Sequence, residues 1–319
     1  MNARARAGSI SIDLDNSWAY ARTHGDHQWA QYPDFLAVAI PRALTFLTEM
    51  ELTATFFIVG RDAEHPTLKP HFYALGAAGH EIANHSYDHR IDIHELPILE
   101  LREDFDRAEQ AIREATGISP IGFRGPSFRN SDSIRHELVR RGYRYDSSDF
   151  PTSAGPLARA YHRMTATEDA SQQASQRDLF GRFTDGFGPL KPYEWRSGRD
   201  VLFEIPVTTF PIIRLPIHMT YVNFIADRSA RLAAWYFAGA VKACAVLGVP
   251  FTFLLHATDF IGGDDASCPT FLPGMKRTYE KKRQTLTTVT LALKQAFEIG
   301  ALRDFARAAL AHRDDESLD

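Results

Sequence analysis

Cysteine is scarce: Cys244 and Cys268 are the only two in 319 residues. Neither sits in a Cys-x-x-Cys spacing, which excludes a disulfide framework and a cysteine-zinc site. The basic start MNARARAG runs straight into a strand-like segment. No apolar run of about 20 residues stands out, so neither a secretory signal nor a transmembrane helix is predicted and a cytoplasmic protein is the default. The formal net charge is -4 and the basic residues are scattered. That leaves no electrostatic footprint for nucleic acid. A His-Glu-x-x-His motif is absent, which excludes the usual zinc-protease arrangement. No internal repeat or low-complexity stretch is present.

Hydrophobic residues make up 44% and charged residues 24%. These are ordinary values for a soluble domain, and the length allows a sizeable core. Short apolar runs alternate with helical patterns. Strands are predicted at 9–14, 53–59, 80–85, 121–125, 143–148, 201–207 and 250–255. Helices are predicted at 34–50, 66–78, 95–116, 131–141, 228–247 and 277–298. This β–α rhythm implies an α/β fold, a parallel sheet or a barrel. We read residues 1–319 as one catalytic domain. Residues 151–200 break the rhythm with many Gly and Pro around a polar helical stretch (165–180), and read as an insertion or lid. The charged tail after 312 reads as frayed.

Four segments at predicted strand ends carry chemistry, and in barrel-like α/β folds that edge is where sites form. Asp13 and Asp15 in SIDLDN are two carboxylates at i and i+2, on one face of a strand. Alone they would suit a solvated strand end or a turn. His85 and His89 in NHSYDH have the spacing that lets two imidazoles meet one cation from a helical turn. Arg124 in FRGPSF is an arginine in a buried-looking strand and needs a carboxylate partner, which Asp13 or Asp15 would supply. His256 ends the apolar run TFLLH; Asp146, Asp149 or Asp259 would orient its ring. Alone it would suit a satisfied core histidine.

Together these residues make a hydrolytic set. Asp15, His85 and His89 form a mixed oxygen and nitrogen site for one divalent ion, leaving room for water and a substrate oxygen. Asp13 takes a proton from that water, Arg124 keeps Asp13 ionised, and His256 protonates the leaving nitrogen.

The order of these segments resembles the polysaccharide deacetylase family, carbohydrate esterase family 4, over roughly residues 8–150 and 201–260. SIDLDN is similar to the spaced Asp-x-Asp form of the first motif, HSYDH to the His-Ser/Thr-x-x-His motif, and FRGPSF to the Arg-x-Pro motif. LLH is similar to the Leu-x-His motif. YDSSDF resembles the fourth motif, with Phe150 where Trp is usual. The resemblance implies a distorted, incomplete (β/α) barrel of about seven strands. It implies Asp13 as base, Asp15, His85 and His89 as metal ligands, Arg124 against the base and His256 as acid. Leu254 would line an acyl-methyl pocket, and Asp146 is preferred over Asp149 as the partner of His256. The implied cofactor is one divalent ion, zinc first, with cobalt or nickel tolerated.

The implied reaction is hydrolysis of an N-acyl amide, acetyl above all, on an amino sugar, a polysaccharide or a lipid-linked sugar. A small linear or cyclic amide is the alternative substrate on the same fold, and a non-catalytic sugar-binding barrel is the alternative to an enzyme. The apolar segment 208–224 reads as a core strand and loop, or as a wall for an acyl chain. The wider 208–240 region allows a homodimer. His24, His27 and Trp29 are close enough in sequence to the first motif to reach the site.

Overall fold

The computed structural model describes residues 6–23, 25–153, 188–269, 272 and 274–307. His24, residues 154–187 of the expected lid with the polar stretch 165–180, and the tail after 312 lie outside the described residues.

The first strand, β1 (Ala7–Asp13), sets the plan of the sheet. Side chains on a strand alternate faces. Ile10 and Ile12 enter the main hydrophobic core. Ser9, Ser11 and Asp13 are buried on the opposite, concave side. The same alternation recurs in β2 (Thr55–Ile58) and β8 (Phe251–His256). Phe56, Ile58, Phe251, Phe253 and Leu255 join Ile10 in the core under the helices. Phe57 faces inward with Ala83, Tyr145 and Ile205.

The remaining strands are β3 (Glu81–Asn84), β4 (Gly122–Phe123), β5 (Tyr145–Asp146), β6 (Tyr193–Ser197), β7 (Asp200–Glu204) and β9 (Glu298–Gly300). They form a nine-stranded sheet of order β6-β7-β5-β4-β3-β2-β1-β8. All neighbours are parallel except β6 and β7. β9 pairs with the start of β1 at Ala7–Ser9, below the stretch that β2 occupies. The two ends of the sheet approach each other where Thr208 N–H donates to Thr252 O at 3.3 Å. This is a distorted, incomplete (β/α) barrel. Its lower end is plugged by the segment after β9: Leu302 N–H donates to Thr55 Oγ1 (2.8 Å) and Arg303 N–H to the buried Glu81 (2.8 Å).

Helices cover the outer face. They include α1 (Ser17–Thr23), α2 (Leu36–Glu49), α3 (Gly60–Ala63), α4 (Lys69–Ala77), α5 (Ile98–Thr116), α6 (Asp132–Arg140), α7 (Met219–Ala226), α8 (Ala230–Leu247) and α9 (Tyr279–Ala296). Capping punctuates them as the sequence suggests. Ser229 caps the first turn of α8, and Gly248 closes it in the left-handed region at φ 61°.

Two readings need correction. The segment 208–224 is not a core strand. Pro211 and Pro216 deny it a ladder of N–H donors. It instead makes a short hairpin closed by a Thr209–Pro216 bridge, then α7, whose Met219, Val222 and Ala226 are buried at helical spacing. Among the described residues the sheet has nine strands rather than about seven. The short β6 and β9 lack an apolar signature, and β6 is joined to β7 by the two-residue Gly198-Arg199 turn.

Gly122 on β4 shows how tightly the barrel interior is filled. A Cβ there would lie 2.0 Å from the Tyr145 ring, whose hydroxyl is fixed to Glu81 at 3.0 Å. Overpacking of this kind costs about 1–3 kcal/mol. Gly122→Ala should lower the unfolding free energy by that amount in urea titrations, with secondary structure unchanged by circular dichroism.

Candidate metal and catalytic site

All six convergent side chains sit at the C-terminal ends of parallel strands. Asp13 ends β1, and His256 ends β8 directly beside it in register. Asp15 follows two residues later. The loop carrying it is held by Asn16, whose Oδ1 accepts from Ser17 N–H (2.9 Å) and whose Nδ2 donates to Asp34 (2.9 Å) and Asp62 (3.0 Å). Trp18 also donates to Asp62, at 2.9 Å. Burial pushes the Asp62 carboxyl up to about 7 despite these donors.

The two histidines do not lie on a helical turn, contrary to the spacing argument. Residues 85–89 form an irregular loop after β3, with Ser86 at φ 65° and His89 at φ 46°. Such left-handed residues cost about 1–2 kcal/mol each. The loop is held by its neighbours. Ser86 N–H is bound by Asn84 (2.9 Å), His89 N–H by Ser86 Oγ (3.1 Å), and Tyr87 N–H by the Asp104 carboxylate (2.9 Å). Gly60 and Arg61, at the start of α3, donate to Ser86 O and Tyr87 O, each at 2.9 Å.

His85 Nε2 and His89 Nε2 each lie 3.2 Å from Asp15 Oδ1. His85 Nδ1 is 2.7 Å from Arg124 O. Donation to that carbonyl fixes a proton on Nδ1 and turns Nε2 toward Asp15, the nitrogen that a cation there would take; without a cation the Asp15 carboxylate favours a proton on Nε2 and raises the imidazole. Asp15 Oδ1 and both ring nitrogens of His89 are buried without a hydrogen-bond partner among the described residues. Burial alone would raise the Asp15 carboxyl, but the two imidazoles outweigh it and hold it well below the usual carboxylate range. One oxygen and two nitrogens aimed at a common point, with unmet polar capacity, fit a divalent cation. A cavity of about 330 Å³ flanks His89, lined also by Arg22, Asp88, Arg90 and Asp92.

Arg124 is fully buried. Its Nη1 donates to Asp13 (2.6 Å) and Ser11 Oγ (3.1 Å), Nε to Ser147 O (2.9 Å) and Nη2 to Ser147 Oγ (2.9 Å). The guanidinium lies 4.1 Å from the centre of the Phe57 ring. Its carboxylate partner is therefore Asp13 rather than Asp15.

His256 presents Nδ1 to Thr220 Oγ1 at 3.2 Å. Asp146 does not orient it. The Asp146 carboxylate is buried and bound by Asn130 Nδ2 and Ser148 Oγ instead. Asp149 is engaged by Tyr193 (2.7 Å) and Arg135 (3.4 Å). The carboxylate at His256 is Asp259, which accepts its backbone N–H at 2.9 Å and the Asn223 side chain at 3.1 Å. Leu254 is buried two residues before His256. His27 is exposed, and Trp29 packs on Trp18 with ring centres 5.8 Å apart.

His218 escaped the sequence reading of single residues. Its ring lies 5.9 Å from that of His256, 5.8 Å from Phe150 and 6.4 Å from Tyr221. Phe150 in turn packs against Phe128, with ring centres 4.8 Å apart. Burial and the neighbouring His256 push the His218 imidazole down to about 3, so it is neutral at physiological pH. Asn16 and Asp104 were also missed. Asn16 directly before a helix is a capping signal that could have been read. Asp104 lies mid-helix, and nothing local marks it.

Residues 26–145 match the polysaccharide deacetylase family, a stretch that includes His85, His89 and Arg124. Asp13, Asp15 and His256 fall outside the match. A peptidoglycan deacetylase of Helicobacter pylori is 30% identical over 151 residues, covering 44% of this chain and 48% of that protein. A peptidoglycan deacetylase-like protein of Gibberella zeae is 29% identical over 147 residues, covering 44% of this chain and 42% of its own length. The chain thus spans about half the length of the curated relatives it matches. Among solved structures, a candidate polysaccharide deacetylase from Mycobacterium smegmatis superposes with TM-score 0.63 at 18% identity, covering 98% of this chain and 93% of that one. Puue allantoinase superposes at 0.55 with 15% identity, covering 96% and 91%. These two likenesses concern the fold alone.

Asp104 offers a test of the histidine loop. Burial pushes its carboxyl up to about 6 although it accepts the Tyr87 and Asp88 N–H groups. A folded-state value above the free one means that ionisation works against the fold. That loss is absent below about pH 4, grows as pH rises and is complete above about pH 6. Asp104→Asn removes the titration. The difference in unfolding free energy should therefore move in the variant's favour by about 1–3 kcal/mol between pH 4 and pH 7, read from urea unfolding at each pH.

Proposed function

We propose that the chain is a metal-dependent amide hydrolase that removes an N-acyl group, acetyl above all, from an amino sugar, free, polymeric or lipid-linked. The observation that carries this reading is the meeting of Asp15 Oδ1 with two imidazole nitrogens at 3.2 Å, with a second carboxylate held apart by a buried arginine. The family match to residues 26–145 supports the same reading.

Asp15, His85 and His89 would hold the cation, with zinc first and cobalt or nickel as substitutes. Bound there, a divalent cation supplies Lewis-acid polarisation of the acyl carbonyl. The chain's own residues do the proton work. Asp13 accepts the proton of the attacking water. Arg124 aims that carboxylate by a direct bond from Nη1. On the adjacent strand, His256 hands a proton to the leaving nitrogen, its ring steadied by Thr220.

The test combines activity with elemental analysis. Asp13→Asn should retain about one metal ion per chain while acetate release from a panel of N-acetylated amino sugars falls about 10²–10⁴-fold. His85→Ala should lose both metal and activity. Near-normal turnover by Asp13→Asn, or a metal-free preparation that is fully active on a cyclic ureide and inert on acetylated sugars, would overturn the reading.

A further inference from the structure

Helix α8 is apolar around most of its circumference yet lies at the surface. Ala233, Phe237, Ala240, Val241 and Cys244 are buried on one side. The other side carries Leu232 at 50% exposure, Trp235 at 74% and Val246 at 74%. Arg231, Trp235, Lys242 and Val246 are all exposed and recur along one stripe of the helix. The hairpin closed by Thr209 and Pro216 packs beside it. Phe210 lies 5.7 Å from Tyr236, whose hydroxyl donates to Pro216 O at 3.0 Å. The tip of that hairpin exposes Ile212 at 73% and Ile213 at 48%. Two elements therefore build one apolar surface. Helices of this kind are normally enclosed by a core or by lipid, and exposed apolar patches mark interaction sites.

Charge selects the partner. The chain is formally -4 overall, yet residues 205–258 carry Arg214, Arg228, Arg231 and Lys242 against the single acid Asp227. Asp227 is already paired with Arg277 at 3.4 Å. We propose that the exposed face of α8 and the 209–216 hairpin tip dock on an anionic lipid surface. Ala230–Leu247 is long and apolar enough to cross a membrane, but its buried side is built into the core, so it lies on the surface rather than across it. Trp235 suits the headgroup level, and Arg231 and Lys242 reach phosphates from either side of it. A second copy of the chain is a poorer partner. A two-fold contact would set this basic stripe against itself. The face continues toward the site through Tyr236 and Tyr221 (6.0 Å), then His218 and His256. The proposal does not depend on the deacetylase reading.

The experiment is co-sedimentation of the full chain with vesicles of pure phosphatidylcholine or of phosphatidylcholine with phosphatidylglycerol. Tryptophan emission is recorded in parallel. Binding is expected for the anionic vesicles, with a blue shift, and should weaken as salt rises. Arg231→Gln and Lys242→Gln should each weaken it about fivefold. Trp235→Ser should abolish most of the blue shift while circular dichroism stays unchanged. Absence of binding to anionic vesicles, equal binding to both compositions, or unchanged binding by the three variants would overturn the proposal. So would a concentration-dependent dimer in light scattering that Trp235→Ser dissolves.

Discussion

A fully buried guanidinium holds the upper end of this barrel together. Arg124 reaches β1 through Asp13 and Ser11, the end of β5 through Ser147, and β2 through the face of Phe57. Its backbone oxygen faces His85. Leaving one partner of a buried pair without the other costs about 3–5 kcal/mol. The pair is therefore a poor source of stability and a strong source of specificity. Only one strand register lets the guanidinium meet all these acceptors at once. The carboxylate of Asp13 is thereby kept from the cluster at Asp15, although the two residues are only two positions apart.

Around this pair the backbone carries strain where the chemistry is. Ser86 and His89 flank the histidine loop in left-handed conformations, and Ser127 and Phe128 do the same after Arg124. None is glycine. Strain of this kind persists where surrounding structure over-determines it. Here the determinants are Asn84, Asp104 and the first turn of α3 for one loop. For the other, they include the close approach of Gly125 to Arg129 O, where a Cβ would come within 1.9 Å.

Much of the fold is legible in the sequence because most inner strands are apolar runs ended by one polar residue. SISID and FTFLLH each mark both a strand and the point where a polar side chain reaches the concave edge, whereas TFFI marks a strand alone. The long helices are legible from their spacing and their Ser, Thr and Gly caps. What escapes are features without local signature. The His85–His89 spacing suggests a helical turn, yet distant hydrogen bonds impose a loop. Asp146 looks like the partner of His256 from its place in YDSSDF, but its neighbours Asn130 and Ser148 claim it first. Asp259, three residues beyond His256, takes the nearby position through a backbone bond that spacing alone could not single out from the other acids. His218 comes from a segment whose prolines hide the short helix it precedes.

The pairing of β1 with β8 and β9 has a consequence for the order of assembly. β1 is made first but sits inside the sheet: one of its edges waits for residues 251–256, and the lower end of the other, below β2, for residues 298–300. On the ribosome, Asp13 and its neighbours would be matched on the β2 side alone until nearly the whole described chain has emerged. An unpaired strand edge exposed that long invites mispairing. The serines that alternate with isoleucine on β1 lower its apolar character during that interval. The same alternation that points Asp13 into the barrel thus tempers the nascent strand while it awaits its last partners.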